Sequence, residues 1–153
     1  MAQHKAVITW KRDGAAFTDN LYSRAHRWSF DGGINVPASA SPHIVQPPAS
    51  VAEAVDPEEA FVASLSSCHL LTFLSIAAKR GYIVDSYRDE AVGLLARNAS
   101  GKLVMTHVTL YPEARFGGET VPGPADVAAM HHNAHEECFI ANSVKTVVRV
   151  EPK

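Results

Sequence analysis

Between Asp56 and Gly81 the chain writes both ends of a helix and places almost nothing polar between them. Asp56-Pro57-Glu58-Glu59 is a start signal: Asp as N-cap, Pro at the first helical position, and a Glu at the third to close a capping box. Gly81 is the stop. A helix is therefore predicted over residues 56–80. Its middle, Ala60 to Ala78, is almost wholly apolar or small, and a helix that is apolar all round is buried on all sides. The 153 residues suffice for one domain or for one protomer of an intertwined oligomer. A helix of this kind in so short a chain points to a sheet on one side and another subunit on the other.

The flanking segments supply strands. Lys5 to Lys11 alternates, with Ala6, Ile8 and Trp10 on one face. Leu21 to Phe30 reads as a second strand ending in Asp31-Gly32-Gly33, with Ile34 to Val36 as a short continuation. Residues 37–56 form a long proline- and alanine-rich loop, with a helical turn near Val51 to Ala54. A loop of that length inside a small domain is uncommon and is often functional. Beyond Gly81, Tyr82 to Ala96 and Leu103 to Ala114 read as two long antiparallel strands joined by a turn at 98–102. A second helix is expected over 124–138 and a closing strand over 143–151. The order is α+β: a single domain, 1–153, of antiparallel sheets packed on a long central helix.

Composition narrows the function classes. A net charge of −2 and a pI near 6.4 give no basic footprint for nucleic acid. No uninterrupted apolar run reaches membrane length, and Met1 to Lys5 lacks the pattern of a secretory signal. The expectation is a cytoplasmic protein with neither nucleic-acid nor membrane partners. A charged share of 20% is slightly low, which fits surface buried against a partner.

Two cysteines, far apart in sequence, make no CxxC pattern. In a reducing compartment such a pair is more often catalytic, redox-sensing or metal-binding than a permanent disulfide; the bland alternative is two small buried side chains. Cys68 lies in the interior of the central helix, within Ser66-Ser67-Cys68-His69. An apolar wall alone raises a thiol pKa, so reactivity requires a nearby cation. His69 points about 100° away on the same helix and is a poor direct partner. Arg24 and Arg27, within Tyr22-Ser23-Arg24-Ala25-His26-Arg27-Trp28, are the candidates, against the alternative of a charged strand edge. Glu59 caps the helix. Glu58 lies ten positions before Cys68, about 15 Å along a straight helix. It would approach a Cys68 only across antiparallel central helices of two protomers, where it would orient an arginine beside the thiolate. Cys138 closes the second helix after His131-His132-Asn133-Ala134-His135. A cysteine at a helix end is free to move, as a resolving thiol must. His131, His135 and Cys138 share one helix face, which permits zinc ligation, although no HExxH order or further carboxylate supports it. The expectation is no metal. Ser66 and Ser67 are read as small packing residues, without a GxSxG elbow.

Asp56-Pro57-Glu58-Glu59-Ala60-Phe61-Val62-Ala63-Ser64-Leu65-Ser66-Ser67-Cys68 resembles the Asp-Pro-Glu, small-residue, Cys helix of the OsmC/Ohr family. Ala134-His135-Glu136-Glu137-Cys138 is similar to that family's second-cysteine segment. Phe30-Asp31-Gly32-Gly33 is a weaker match. The resemblance implies an intertwined homodimer and a thiol peroxidase of the peroxide stress response. Cys68 would be oxidised to a sulfenic acid by an organic hydroperoxide. Cys138 would condense with it to a disulfide, and an external dithiol of the dihydrolipoamide type would reset the pair without any bound cofactor. Glu58 carries over with the cysteines. The family's arginine falls on Arg24, favoured here, or on Arg27. His69 and the histidine cluster are not general features of the family and mark a divergent subgroup. The rival to an enzyme is a non-enzymatic member that binds an apolar ligand or senses redox state.

Overall fold

The computed structural model describes residues 1–153. The long helix, α1, runs Pro57–Lys79, and the residues that mark its ends close it. Asp56 Oδ1 accepts the Glu59 N–H at 2.7 Å, and Glu59 Oε2 accepts the Asp56 N–H at 3.1 Å. This reciprocal box satisfies donors that a helix start leaves open. At the other end Gly81 has φ of +79°, where a side chain would be strained. The Gly81 and Tyr82 N–H groups turn back to the Ala78 and Ala77 carbonyls, both at 3.0 Å, the paired bonds of a Schellman stop.

The chain divides into two compact units, Met1–Ala60 and Phe61–Lys153. The first holds an antiparallel sheet of β1 (Ala6–Thr9), β2 (His26–Phe30) and β3 (Asn35–Ala38), in that order. Ile8 lies opposite Trp28, and Trp28 opposite Val36. The second strand is shorter than the expected Leu21–Phe30 because the preceding residues take other partners. The Arg24 N–H bonds the Ala49 carbonyl at 2.7 Å, and the Ala25 N–H bonds the Ser23 hydroxyl at 3.2 Å. The long loop folds back on β3: Ser39 N–H donates to Val55 O and Val55 N–H to Pro37 O, each at 3.1 Å. The buried Ser39 hydroxyl accepts the Val51 N–H at 3.0 Å. Near Val51 to Ala54, where a helical turn is expected, the chain makes one hydrogen-bonded turn, with the Ala54 N–H on the Val51 carbonyl at 3.2 Å.

In the second unit the two expected long strands are four: β4 (Ile83–Asp89), β5 (Val92–Arg97), β6 (Leu103–Leu110) and β7 (Pro112–Gly117). Both halves break at the same level. The Asp89 carboxylate takes the Tyr111 N–H at 2.7 Å, which removes that donor from the ladder and splits one ribbon into two sheets. β4 pairs with β7, and β5 pairs with β6. The second helix, α2, spans Pro124–Glu137. After a single 3-10 turn, Ala141–Ser143, the last strand, β8 (Val147–Val150), joins β6 in parallel. That corrects the expectation of purely antiparallel sheets: a return through a helix is the crossover that parallel pairing requires.

Two cores result. Phe73, Ile76 and Ala77 of α1 meet Met130 and Ala134 of α2 over β4 and β7. Leu65 meets Val108 and Leu110 of β6. Gly93 on β5 lets α1 lie close, since a Cβ there would come within 2.5 Å of Val62 Cγ2 and Met105 Cε. α1 keeps an open face on the side where another subunit is expected: Ala63, Ser64, Ser67, Leu71 and Ser75 are exposed, Leu71 at 65%. By length and composition alone α1 would suffice to cross a membrane, although polar residues interrupt its apolar run.

Candidate thiol site

Cys68 lies midway along α1, and its carbonyl accepts the Thr72 hydroxyl at 2.9 Å. Cys138 is the residue on which α2 ends, with extended backbone (φ −69°, ψ 112°) and its N–H still tied to the His135 carbonyl at 3.3 Å. Asn142 Nδ2 clamps the following turn by donating to the Glu136 and Cys138 carbonyls at 2.8 and 3.0 Å. The two thiols, remote in sequence, are within hydrogen-bonding reach and are both free. Cys138 is buried and Cys68 half-buried. Burial above all pushes the Cys138 thiol up to about 11. Its hydrogen bond to Cys68 acts the same way, and the Ala141 and Ile140 N–H groups pull against it. Burial in apolar surroundings disfavours the charged form of Cys138.

Ser66 and His69, which flank Cys68 on α1, reach groups distant in the chain. His69 Nε2 and His131 Nδ1 meet at 3.0 Å, buried, joining α1 to α2. Both rings are held down near a pKa of 4. For His69 burial is the main cause, reinforced by His131 and His135 and opposed by Asp89; for His131 the cause is burial. Asp89 accepts the Ser66 hydroxyl at 2.5 Å, so Ser66 is a donor to a strand-end carboxylate rather than only a small packing residue. Burial, then the Asp89 charge, pushes the Tyr87 phenol up. The signal for these groups was faint. By sequence His69 points away from Cys68, and Asp89 falls inside the expected strand Tyr82 to Ala96.

No three His, Cys, Asp or Glu side chains stand together in the single chain, and His131 turns its Nδ1 to His69.

The remaining candidates lie in the first unit and are described there. Arg24 is half-buried. Its guanidinium lies 3.8 Å over the Tyr22 ring, bonds the Tyr22 carbonyl, and reaches Asn20 O and Oδ1 at 3.0 and 2.8 Å. Arg27 is exposed on β2. Neither has a carboxylate partner. Glu58 is half-buried, and its Oε2 is fully enclosed without a hydrogen-bond partner.

A profile of the OsmC-like protein family matches residues 50–153, which include both cysteines. An OsmC-like protein of unknown function from Vibrio cholerae shares 58% identity over 100% of both chains, with a TM-score of 0.98. The organic hydroperoxide resistance protein OhrB of Bacillus subtilis has a TM-score of 0.69 at 17% identity, covering 99% of this chain and 98% of its own. An organic hydroperoxide resistance protein from Elizabethkingia anophelis has a TM-score of 0.70 at 15% identity, covering 99% and 94%. These two show likeness of fold. No curated protein matches. With the capped helix, the facing thiols and a family profile across two-thirds of its length all in agreement, this chain belongs to the OsmC-like family.

Proposed function

We propose that the protein is a thiol peroxidase that reduces organic hydroperoxides to alcohols. One observation carries the reading: the half-buried Cys68 lies beside the buried Cys138, the only other thiol in the chain. The Cys68 thiolate attacks the hydroperoxide oxygen, the O–O bond breaks, and the leaving alkoxide takes a proton to become the alcohol. Cys68 is then a sulfenic acid. Cys138 attacks its sulfur, the S–O bond breaks, and water leaves carrying the Cys138 proton, so the pair ends as a disulfide. An external dithiol reduces it in two exchange steps, with no bound cofactor.

Supporting parts come from the first unit. Arg24 is the favoured cation because stacking on Tyr22 and bonds to Asn20 hold it in one geometry; exposed Arg27 is the second choice. The enclosed, unpartnered Glu58 Oε2 suits a carboxylate that orients a guanidinium. The open face of α1, with Leu71 at its centre, supports a homodimer in which that face is covered. The proposed location is the cytoplasm, where dithiol reductants are available.

The test is turnover of cumene hydroperoxide with dihydrolipoamide. Cys68→Ser is expected to abolish it. Cys138→Ser is expected to keep one round of Cys68 oxidation, trapped by dimedone, while losing fast recycling. Equal, small losses in both variants would refute the assignment. A second reading, an apolar-ligand binder, draws on a cavity of about 550 Å³ lined by Phe61, Met105, Val144 and Lys145 among others. Thermal stabilisation by a fatty acid, without hydroperoxide turnover, would favour it.

A further inference from the structure

His131 is held by two residues one turn apart on α1. Its Nδ1 meets His69 Nε2 at 3.0 Å, and its ring stacks on Phe73 with centroids 4.2 Å apart and planes 17° apart. The His69 and His131 rings are nearly coplanar, 5° apart, with centroids separated by 5.3 Å. That separation is the N···N distance plus the two ring radii, so the rings meet head-on. This is the geometry of a linear N–H···N bond, not of two lone pairs converging on a metal. One ring donates and the other accepts, which requires that they not both be protonated, as their burial ensures.

The rest of the α1–α2 contact is apolar, through Phe73, Ile76 and Ala77 against Met130 and Ala134. Apolar contacts are non-directional and tolerate small slides; a buried hydrogen bond does not, because a slide strands two desolvated nitrogens. The pair is also placed to matter. His69 is next to Cys68, and His131 lies seven residues, two turns, before Cys138 on the same face of α2. A slip of one residue would move α2 by about 1.5 Å and turn it by about 100°, carrying Cys138 away from the short S–S bond it must form.

We propose that His69 and His131 are the positioning pair of the thiol site: their hydrogen bond, with the Phe73 stack, fixes the register of α2 on α1 and so holds Cys138 at Cys68. This deepens the two-thiol reading and rests on it. The pair makes no hydrogen bond to either sulfur and acts through the helix.

The test is equilibration with reduced and oxidised glutathione, which gives the effective molarity of Cys138 toward Cys68 by mass spectrometry of alkylated protein. No peroxide enters, so a failure of hydroperoxide turnover would sink the proposed function and leave this measurement standing. His131→Phe keeps the stack and removes the bond; in folded protein it is expected to lower the effective molarity about tenfold or more. In the paired variant His69→Gln/His131→Asn, the amide nitrogens and oxygens occupy the Nε2 and Nδ1 positions. It is expected to return within about threefold of the native value, a rescue that mere filling of space would not produce. A folded His131→Phe with native effective molarity overturns the proposal. Should His131→Phe not fold, the paired variant decides: folded but tenfold or more below native, it overturns the proposal equally.

Discussion

At the scale of single residues, the two cysteines differ by environment, not by type. Cys138 is 1% exposed, accepts the Ala141 N–H at 3.4 Å, and lies beside Cys68. Its raised pKa, about 11 against 9.0, makes thiolate scarce at neutral pH and slows any reaction that needs it. In Cys68→Ser, alkylation of Cys138 by iodoacetamide at pH 8 should run at least about tenfold slower than in the same chain unfolded in guanidinium. Equal rates would mean that burial does not protect this sulfur. The linkage has a sign as well. Because the folded pKa lies above the unfolded one, the contribution of Cys138 to stability is intact below about pH 9 and is lost as pH rises toward 11.

At the scale of elements, α1 is where local signals and packing agree. The capping box and the Schellman stop define it without help from the sheets, while its seat depends on a missing side chain at Gly93. Met105 can swing its end away from an added methyl, but Val62 is β-branched and stiff at χ1. Gly93→Ala should therefore overpack the contact and cost about 1–3 kcal/mol, read as a lower midpoint in urea with an unchanged m-value. A midpoint at or above that of the native protein would show that α1 has room to retreat. The same element explains why two strands became four. Asp89 spends its carboxylate on the Tyr111 N–H and the Ser66 hydroxyl, breaking the ribbon where α1 crosses from one core to the other.

At the scale of the whole molecule, buried neutral histidines make stability depend on acid. His69 and His131 titrate near 4 in the fold and near 6.5 in the unfolded chain. Between those values the unfolded chain binds protons that the folded one refuses. Their contribution is complete above about pH 6.5 and is lost as pH falls toward 4, by at most about 1.4 kcal/mol per pH unit for each ring. Tm should fall between pH 7 and 4.5, and His69→Gln/His131→Asn should fall less over the same range; parallel curves would exclude these rings as the cause. The open face of α1 makes a second demand at this scale. For the proposed homodimer, Leu71→Asp should lower the mass in light scattering from two chains to one; a native protein of one chain's mass, or an unchanged mass in the variant, would refute coverage of this face.

Much of this molecule was legible in its order of residues. Signals spanning a few positions act on the backbone directly, so Asp56, Glu59 and Gly81 determined the ends of α1, and alternation located most strands. The type of each cysteine's neighbourhood, helix interior for Cys68 and helix end for Cys138, was likewise local. What needed tertiary structure were the contacts between groups distant in the chain: the facing thiols, the His69–His131 bond, the Asp89 break and the parallel seat of β8. None of these is encoded in a nearest-neighbour preference. Each arises because burial strips water from polar atoms and leaves them to find partners in whatever element the packing brings alongside.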